Sequence, residues 1–364
     1  ATLKRAARNG PRRLVPPVEE VEAHLAGRPL SVLVYFLDET WEEVSYDVGT
    51  TAAEAVRQVA GLIRLQHCDT FAIFECRQYA NAAPAGGKAA PAAAARPDVH
   101  EALDDGAFVG DAVLDARSRV AEARGSRDAF AVRLLFKKRM FRDADEGVQE
   151  PLFVSLSYLQ ARHEYLAGNY PVGREEAGQL AALQLLVEHG PGLAASPQGL
   201  DNALDRVFTR QVLAIRPREE WAGDVARRYR ALEQYSREDA RAGLLKIIRS
   251  LPYGNSTFFP ARRIEDPIGL LPGRIVMGIN KRGVHFFRPT PKEYLYSAEL
   301  RDISQFGSST EAVFFKMRVA GELHIFQFET KDGEAICVSL QTHINDIMEK
   351  RHARQAAARA AGGG

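Results

Sequence analysis

The chain has 364 residues, enough for two or three domains that each bury an apolar core. Its 48 basic and 47 acidic residues leave a net charge of +1, which argues against a globally basic nucleic-acid-binding protein and leaves only local patches to consider. The three cysteines are widely spaced, so they support neither a disulfide framework nor a paired-cysteine metal site, and they fit a reducing cytosol. Because the chain starts with a basic segment and not with Met, we expect it to be a piece of a longer protein.

Residues 1–29 are rich in Arg and Lys and contain Pro16-Pro17. This composition predicts a basic linker, or the last turn of an upstream domain.

Residues 30–142 carry the pattern of a small sheet with one helix across it. Apolar residues alternate through 31–48, which indicates a hairpin, and strands are expected at 71–74 and 130–136. Between them Thr51 and Glu54 form a capping-box signature at the start of an amphipathic helix. This order predicts a ubiquitin-like lobe.

Two stretches interrupt that lobe. Residues 80–97 are mostly Ala, Pro and Gly and are predicted to be a disordered insertion, because they have nothing to bury. Residues 98–127 regain apolar positions and are expected to form a short amphipathic return into the lobe.

Residues 143–251 are predicted to be a helical lobe. Leu180, Leu183 and Leu186 lie at helical spacing, and Trp221 begins a second apolar stripe. Ser236, followed three residues later by an aspartate, predicts the start of another helix.

Residues 252–350 are predicted to be mainly strands, at 257–263, 273–280, 283–288, 300–306, 312–319 and 322–330. A short strand and then an amphipathic helix are expected after Gly333. Six or seven antiparallel strands closed by one helix describe a pleckstrin-homology-like barrel. Residues 351–364 are expected to be a basic continuation, helical or disordered.

The stretch GRIVMGINKRGVHFFR (273–288) poses a choice between a phosphate-binding loop and a hairpin. A phosphate loop needs Lys and then Ser or Thr directly after its last glycine, whereas Gly278 is followed by Ile279. Asn280 and Gly283 supply turn chemistry between two apolar runs, so a hairpin is predicted.

Three motif stretches resemble the tail of the plant and green-algal kinesin-like calmodulin-binding proteins: LFKKRMFR (135–142), EPLFVSLSYLQARHEYLAGNYPVGREEAGQLAALQ (150–184) and DPIGLLPGRIVMGINKRGVHFFRPTPKEYLYSAELRDISQFGSS (266–309). The similarity covers about residues 30–350 and implies an α+β, three-lobed FERM module with a ubiquitin-like lobe, an acyl-CoA-binding-protein-like helical bundle and a pleckstrin-homology-like barrel with a C-terminal helix. The Ala/Pro insertion departs from the family pattern.

The resemblance implies a non-catalytic tail module that binds microtubules, actin filaments or cargo in the cytoplasm and cytoskeleton. It also implies an upstream myosin-tail-homology domain joined through residues 1–29, and calmodulin binding outside this chain. No cofactor is expected here, since ATP and Mg²⁺ belong to a motor domain that the chain does not contain. No nucleic acid is expected.

Several clustered cations are candidate partner-binding residues: Lys137, Lys138, Arg139, Arg142, Arg262, Arg263, Lys281 and Arg282. One interpretation places the first four at a strand end with solvated charges and packed aromatics. The other is an electrostatic contact with an acidic filament, or with an anionic membrane surface, that weakens with salt.

A second candidate site is a peptide groove in the third lobe. A strand at a sheet edge can accept a partner's extended peptide. We assign that role to 312–319, with Phe314, Lys316 and Arg318 beside Ile344 of the closing helix. The alternative is that the helix and strand only complete the core.

No catalytic constellation is predicted. His67-Cys68 resembles a phosphatase nucleophile, but the required arginine six residues later is Phe74. Pairs such as His343 and Asp346 lack a third metal ligand at helical spacing. Two other hypotheses stay open: a phosphoinositide-binding membrane adaptor, and the localisation module of an adjoining enzyme.

Overall fold

The computed structural model describes residues 2–79, 98–126, 129–190, 197–290 and 292–361. The chain forms two units, Ala1–Arg139 and Met140–Gly364. The Ala/Pro insertion predicted at 80–97 lies outside the described residues.

Unit 1 combines a five-stranded sheet with helices. Its elements in chain order are α1 (Thr2–Asn9), α2 (Val18–Leu25), β1 (Leu30–Tyr35), β2 (Trp41–Tyr46), α3 (Ala52–Ile63), β3 (Phe71–Tyr79), β4 (Val99–Ala102), α4 (Val109–Ala123) and β5 (Phe130–Lys138). The strand order is β2-β1-β5-β3-β4, in which β1 and β5 are parallel and the other pairs antiparallel. The predicted ubiquitin-like order is confirmed, and the segment expected as an amphipathic return contains β4 and α4.

Local sequence explains why α3 begins where it does. The Thr51 hydroxyl accepts a hydrogen bond from the Glu54 N–H at 3.3 Å, and the Glu54 carboxylate accepts from the Thr51 N–H at 3.2 Å. These bonds satisfy two of the backbone donors that a helix start leaves open. Val34, Val44 and Val59 are fully buried where α3 packs on the sheet, while Trp41 is 53% exposed.

Residues 2–25, for which the sequence predicts a linker, contain two short helices and are held by buried ion pairs of Arg12 and half-buried ion pairs of Arg5. The Arg12 Nε donates to Asp111 at 2.8 Å and its Nη1 donates to Glu20 at 2.5 Å. The three side chains are only 9%, 7% and 3% exposed. Arg5 pairs with Asp47 at 2.8 Å and with Glu54 at 2.6 Å. The segment is therefore part of unit 1 and not a tether.

Unit 2 begins with helices α5 (Pro151–Leu166), α6 (Arg174–His189), α7 (Pro197–Val207), α8 (Arg210–Leu213), α9 (Arg218–Arg230) and α10 (Arg237–Ser250). Leu180 and Leu186 are buried as predicted, and Ser236 caps α10 through the Asp239 N–H at 3.0 Å. Trp221 is fully buried, with the Arg216 guanidinium 3.8 Å from the ring centroid. The helical lobe is confirmed.

The rest of unit 2 is a seven-stranded antiparallel sheet followed by a long helix. Its elements are β6 (Thr257–Glu265), β7 (Arg274–Asn280), β8 (Gly283–Pro289), β9 (Lys292–Glu299), β10 (Ile303–Ser308), β11 (Ala312–Val319), β12 (Glu322–Glu329) and α11 (Gly333–Ala361). The strand order is β10-β11-β12-β6-β7-β8-β9. Phe286, Phe315, Phe326, Phe328 and Leu340 are fully buried and join the sheet to α11 in one core.

Two sequence predictions for this lobe were wrong in detail. The short strand expected after Gly333 is absent from the described residues, because α11 starts at Gly333 itself. The strand β9 was not predicted, since Pro289 and Pro291 flank its start and proline marks a loop.

Candidate functional site

The stretch 273–288 forms a hairpin, as predicted. Asn280 pairs with Gly283 across a two-residue turn. The Asn280 amide nitrogen donates to the backbone oxygens of Pro252 at 3.0 Å and Gly254 at 2.9 Å. Its side-chain oxygen accepts from the Arg282 N–H at 2.8 Å. The turn is thus tied to the chain that follows α10 and is not arranged as a phosphate cradle.

The lysines of the predicted cationic stretch in unit 1 are buried. Lys137 is 8% exposed and lies 4.6 Å from the Phe74 ring centroid, and Lys138 is 1% exposed and lies 5.4 Å from the Phe71 ring. Neither ammonium group is placed as a surface charge.

Two arginines of the predicted set, Arg139 and Arg142, form ion pairs with aspartates of their own unit. Arg139 pairs with Asp105 at 2.7 Å in unit 1. In unit 2, Arg142 forms an ion pair with Asp346 of α11, and this bond raises the pKa of Arg142. These side chains already stabilise the fold.

The β7–β8 turn belongs to an ion-pair network in unit 2. Lys281 Nζ lies 2.6 Å from Asp143 and 2.8 Å from Glu146. Lys350 of α11 also pairs with Asp143. Burial alone would lower the pKa of Lys281, but the hydrogen bonds to the two carboxylates raise it overall.

The remaining cations of β6 and the turn are also engaged. Arg262 pairs with Glu329 at 3.3 Å, and Arg263 donates to the backbone oxygen of Leu271 at 2.6 Å. Arg282 donates to the backbone oxygens of Leu251 at 3.1 Å and Arg249 at 3.4 Å, which caps the end of α10.

The structure corrects the edge position assigned to 312–319. The strand β11 is paired on both sides, with β10 through Phe306↔Phe315 and with β12 through Phe315↔Phe326. It therefore has no free backbone for an added peptide. The edges of this sheet are β10 and β9.

The side chains predicted for the groove therefore divide between two places. Phe314, Lys316 and Arg318 project from β11 on the face opposite the core, because Val313, Phe315 and Met317 between them are at most 1% exposed. Ile344 is half-buried on α11. The structure does not bring the four together as lining of one edge groove.

A free edge does exist beside α11, at β10. In the described part of the chain no strand pairs with the outer side of β10, and α11 packs against β10, β11 and β7. Residues 303–308 carry no charge, and Val338 on α11 is 56% exposed. The β10 edge was missed in the sequence analysis. The short turn before 312–319 indicated that the preceding strand would pair with 312–319 and so become the edge strand itself.

Unit 1 also places three potential metal ligands together, which the sequence did not indicate. Ligand atoms of Cys76, Asp98 and His100 lie within 4.8 Å of one another. The Lys137 ammonium lies 3.1 Å from His100 Nδ1, and burial raises the pKa of the Cys76 thiol to about 11. At neutral pH the group holds a protonated thiol beside a cation, which disfavours binding of a metal cation.

Within the described residues, no helix combines the length and the apolar character needed to cross a bilayer.

Comparisons with known proteins agree with this architecture. The sequence model of the FERM central domain matches residues 143–259, and that of the PTB domain of IRS-1 type matches residues 261–348. The myosin 7b C-terminal MyTH4-FERM domain, solved in complex with the harmonin-a PDZ3 domain, superposes with a TM-score of 0.68 at 20% identity, covering 95% of this chain and 66% of that chain. This likeness shows the fold.

Sequence relatives extend along almost the whole chain. The kinesin-like protein KIN-14I of Oryza sativa subsp. japonica is 52% identical over 362 residues, covering 99% of this chain and 28% of the relative. The kinesin-like protein KIN-14E of Arabidopsis thaliana is 51% identical over 355 residues, covering 97% of this chain and 27% of the relative. The chain spans little more than a quarter of these proteins. The chain has a FERM fold, and its sequence is similar to those of the kinesin-like proteins along almost its whole length.

Proposed function

We propose that this chain is the non-catalytic interaction part of a kinesin-like motor's tail, and that it attaches the motor to cytoskeletal filaments or cargo. The observation that carries the proposal is the 51–52% identity to two kinesin-like proteins along 97–99% of the chain. Most of each relative lies outside the match, so motor activity would reside in other segments. We place the working lobes at 30–142, 143–251 and 252–350.

A peptide partner has a specific place to bind, at β10. An extended peptide can pair with the backbone of a free edge strand, and its side chains then lie against the neighbouring helix. The opposite edge, β9, carries Lys292, Glu293 and Glu299, and such charges discourage strand addition, whereas residues 303–308 carry none. The myosin 7b relative was solved with a PDZ domain bound, which supports a protein partner.

The experiment that tests the filament role is co-sedimentation of the chain with microtubules and, separately, with actin filaments. We expect the chain to pellet with microtubules at low salt and less so as salt rises, because the screening length shortens to about 8 Å at physiological ionic strength. Vesicles of phosphatidylcholine with phosphatidylserine form the third arm, and they test the membrane hypothesis. No ATP hydrolysis is expected.

Full recovery of the chain in the supernatant with both filaments at low salt would remove the filament claim. If the chain does pellet, hydrogen exchange on the pelleted complex would locate the bound surface. Protection of 303–308 and of the facing part of α11 would support peptide addition at β10, and unchanged exchange there during cargo binding would contradict it.

A further inference from the structure

Most cations predicted to contact a partner are bonded to an acid, an aromatic ring or backbone oxygens inside the chain, and Lys316 and Arg318 are the least engaged among the described residues. Among the described residues, neither Lys316 nor Arg318 has a carboxylate within ion-pair distance, and the one bond of the Arg318 side chain goes to the backbone oxygen of Gly321 at 3.0 Å. By contrast, Arg142, Arg262 and Lys281 are all paired with acids. In the part of the chain that the structure describes, Lys316 and Arg318 are therefore charges without an acidic partner.

These cations stand beside two exposed aliphatic side chains. The register of β11 and β12 pairs Lys316 with Ile325 and Arg318 with Leu323. Leu323 and Ile325 are each 45% exposed. We call these four residues the outer patch. Surfaces that combine exposed aliphatic groups with uncompensated charge are typical of binding sites.

The pattern of the strands fixes this arrangement. Phe326 and Phe328 of β12 are fully buried, so Ile325 and Leu323 of the same strand alternate to positions outside the core. On β11 the buried Met317 separates Lys316 from Arg318 in the same way. The outer patch thus has a cationic row on β11 and an aliphatic row on β12, about 4.8 Å apart.

We propose that the outer patch binds an acidic amphipathic helix of a partner protein, which deepens the proposed function by naming the chemistry of one partner. Residues two apart on a strand are separated by about 6.8 Å. Apolar residues at i and i+4 of a helix are separated by about 6 Å along its axis. A helix lying along β12 would therefore place two apolar side chains on Leu323 and Ile325, and carboxylates on its flank would reach Lys316 and Arg318.

The charge around the patch favours a narrow ligand over a membrane. Glu265 of β6 pairs with Gln327, which lies on the same face of β12 as Ile325. Glu322 is exposed at the start of β12. A flat anionic bilayer would meet these carboxylates together with the cations, whereas the acidic flank of a helix that lies along β12 would face β11, on the side away from Glu265 of β6.

The test uses the full chain and a synthetic helical peptide that carries Leu at i, i+4 and i+7 and Glu along one flank. Its binding is measured by fluorescence anisotropy. We expect the double variant K316E/R318E to bind at least about tenfold more weakly, and binding by the chain itself to weaken with salt. L323Q/I325Q should also weaken binding. The matched control R351E/R354E makes the same change in net charge at two exposed positions of α11 and should bind like the unmodified chain.

A charge-reversed peptide with Lys in place of Glu gives the sharpest readout. It should bind K316E/R318E better than the unmodified chain, which simple misfolding of the variant cannot produce. Equal loss in K316E/R318E and R351E/R354E would overturn the proposal, as would binding of neither peptide. Capture of phosphatidylserine vesicles, lost in K316E/R318E while the peptide fails to bind, would assign the patch to membranes instead.

Failure of the outer-patch proposal can be distinguished from failure of the proposed filament role. Peptide binding that depends on the patch, with no filament pelleting, would retain this inference and remove the filament role. If K316E/R318E leaves filament pelleting unchanged and no peptide binds, the filament role is retained and the outer-patch inference is removed.

Discussion

Replacement of Arg12 by Met should destabilise unit 1 strongly. The Arg12 guanidinium is 9% exposed and donates to Glu20 and Asp111, whose side chains are 3% and 7% exposed. Burial alone would lower the pKa of Arg12, but the two carboxylates raise it overall, so the arginine stays charged. Removing one partner of a buried charge cluster costs about 3–5 kcal/mol, because the remaining charges are left uncompensated. We expect a loss of that size for Arg12→Met.

The matched variant is the triple substitution Arg12→Met, Glu20→Gln and Asp111→Asn. It removes all three charges and keeps a side-chain acceptor at position 111 for the N–H of Arg13, which now donates to Asp111 at 3.1 Å. Because neutral replacement of a whole buried cluster is often tolerated, most of the loss should be recovered.

Hydrogen exchange provides the assay. Amides of β1 and β2 in unit 1 should exchange faster in Arg12→Met, and amides of α6 in unit 2 serve as the internal reference. Unchanged exchange in β1 and β2 of Arg12→Met would show that the charge cluster does not stabilise unit 1. If the triple variant were as unstable as Arg12→Met, uncompensated charge would not be the cause of the lost stability.

Two further predictions concern unit 2. Gly283 has φ +150°, and a Cβ there would lie 1.9 Å from the Ala298 backbone oxygen. Gly283→Ala should therefore lower the free energy of unfolding, measured in urea, by about 2–3 kcal/mol. The control Gly273→Ala, which has open space around the added Cβ, should leave that free energy nearly unchanged. Burial would raise the pKa of Asp143, but hydrogen bonds from Lys281 and a second lysine lower it overall below 3.8. The stability that the Asp143 carboxylate contributes is therefore present at neutral pH and lost as pH falls below about 4. Urea unfolding should show that the free energy of unfolding of Asp143→Asn decreases less over this acidic range than that of the unmodified chain.

Elements with local signals were predictable from the sequence. The capping pairs at Thr51 and Ser236 fixed two helix starts, since each bond joins residues three apart. Period-two alternation placed the core side of β11 correctly, with Val313 and Met317 buried. These features depend on neighbours that the sequence itself displays.

Features set by distant partners were not predictable in this way. The burial of Lys138 depends on Phe71, which β3 contributes. Arg12, between α1 and α2, is held by Asp111, which lies 99 residues further along the chain. Charge clustering along the sequence therefore overestimated the available binding surface, because it does not show which cations form ion pairs with Asp or Glu inside the fold.

The two tryptophans fall one in each unit, and their surroundings differ. Trp41 is 53% exposed on β2, and Trp221 is fully buried under Arg216. Solvent relaxation shifts the emission of an indole to the red, so the first should emit at longer wavelength and be open to an aqueous quencher such as iodide, while the second should be shielded. Melting of one half of the chain could thus be distinguished optically from melting of the other, with no added dye.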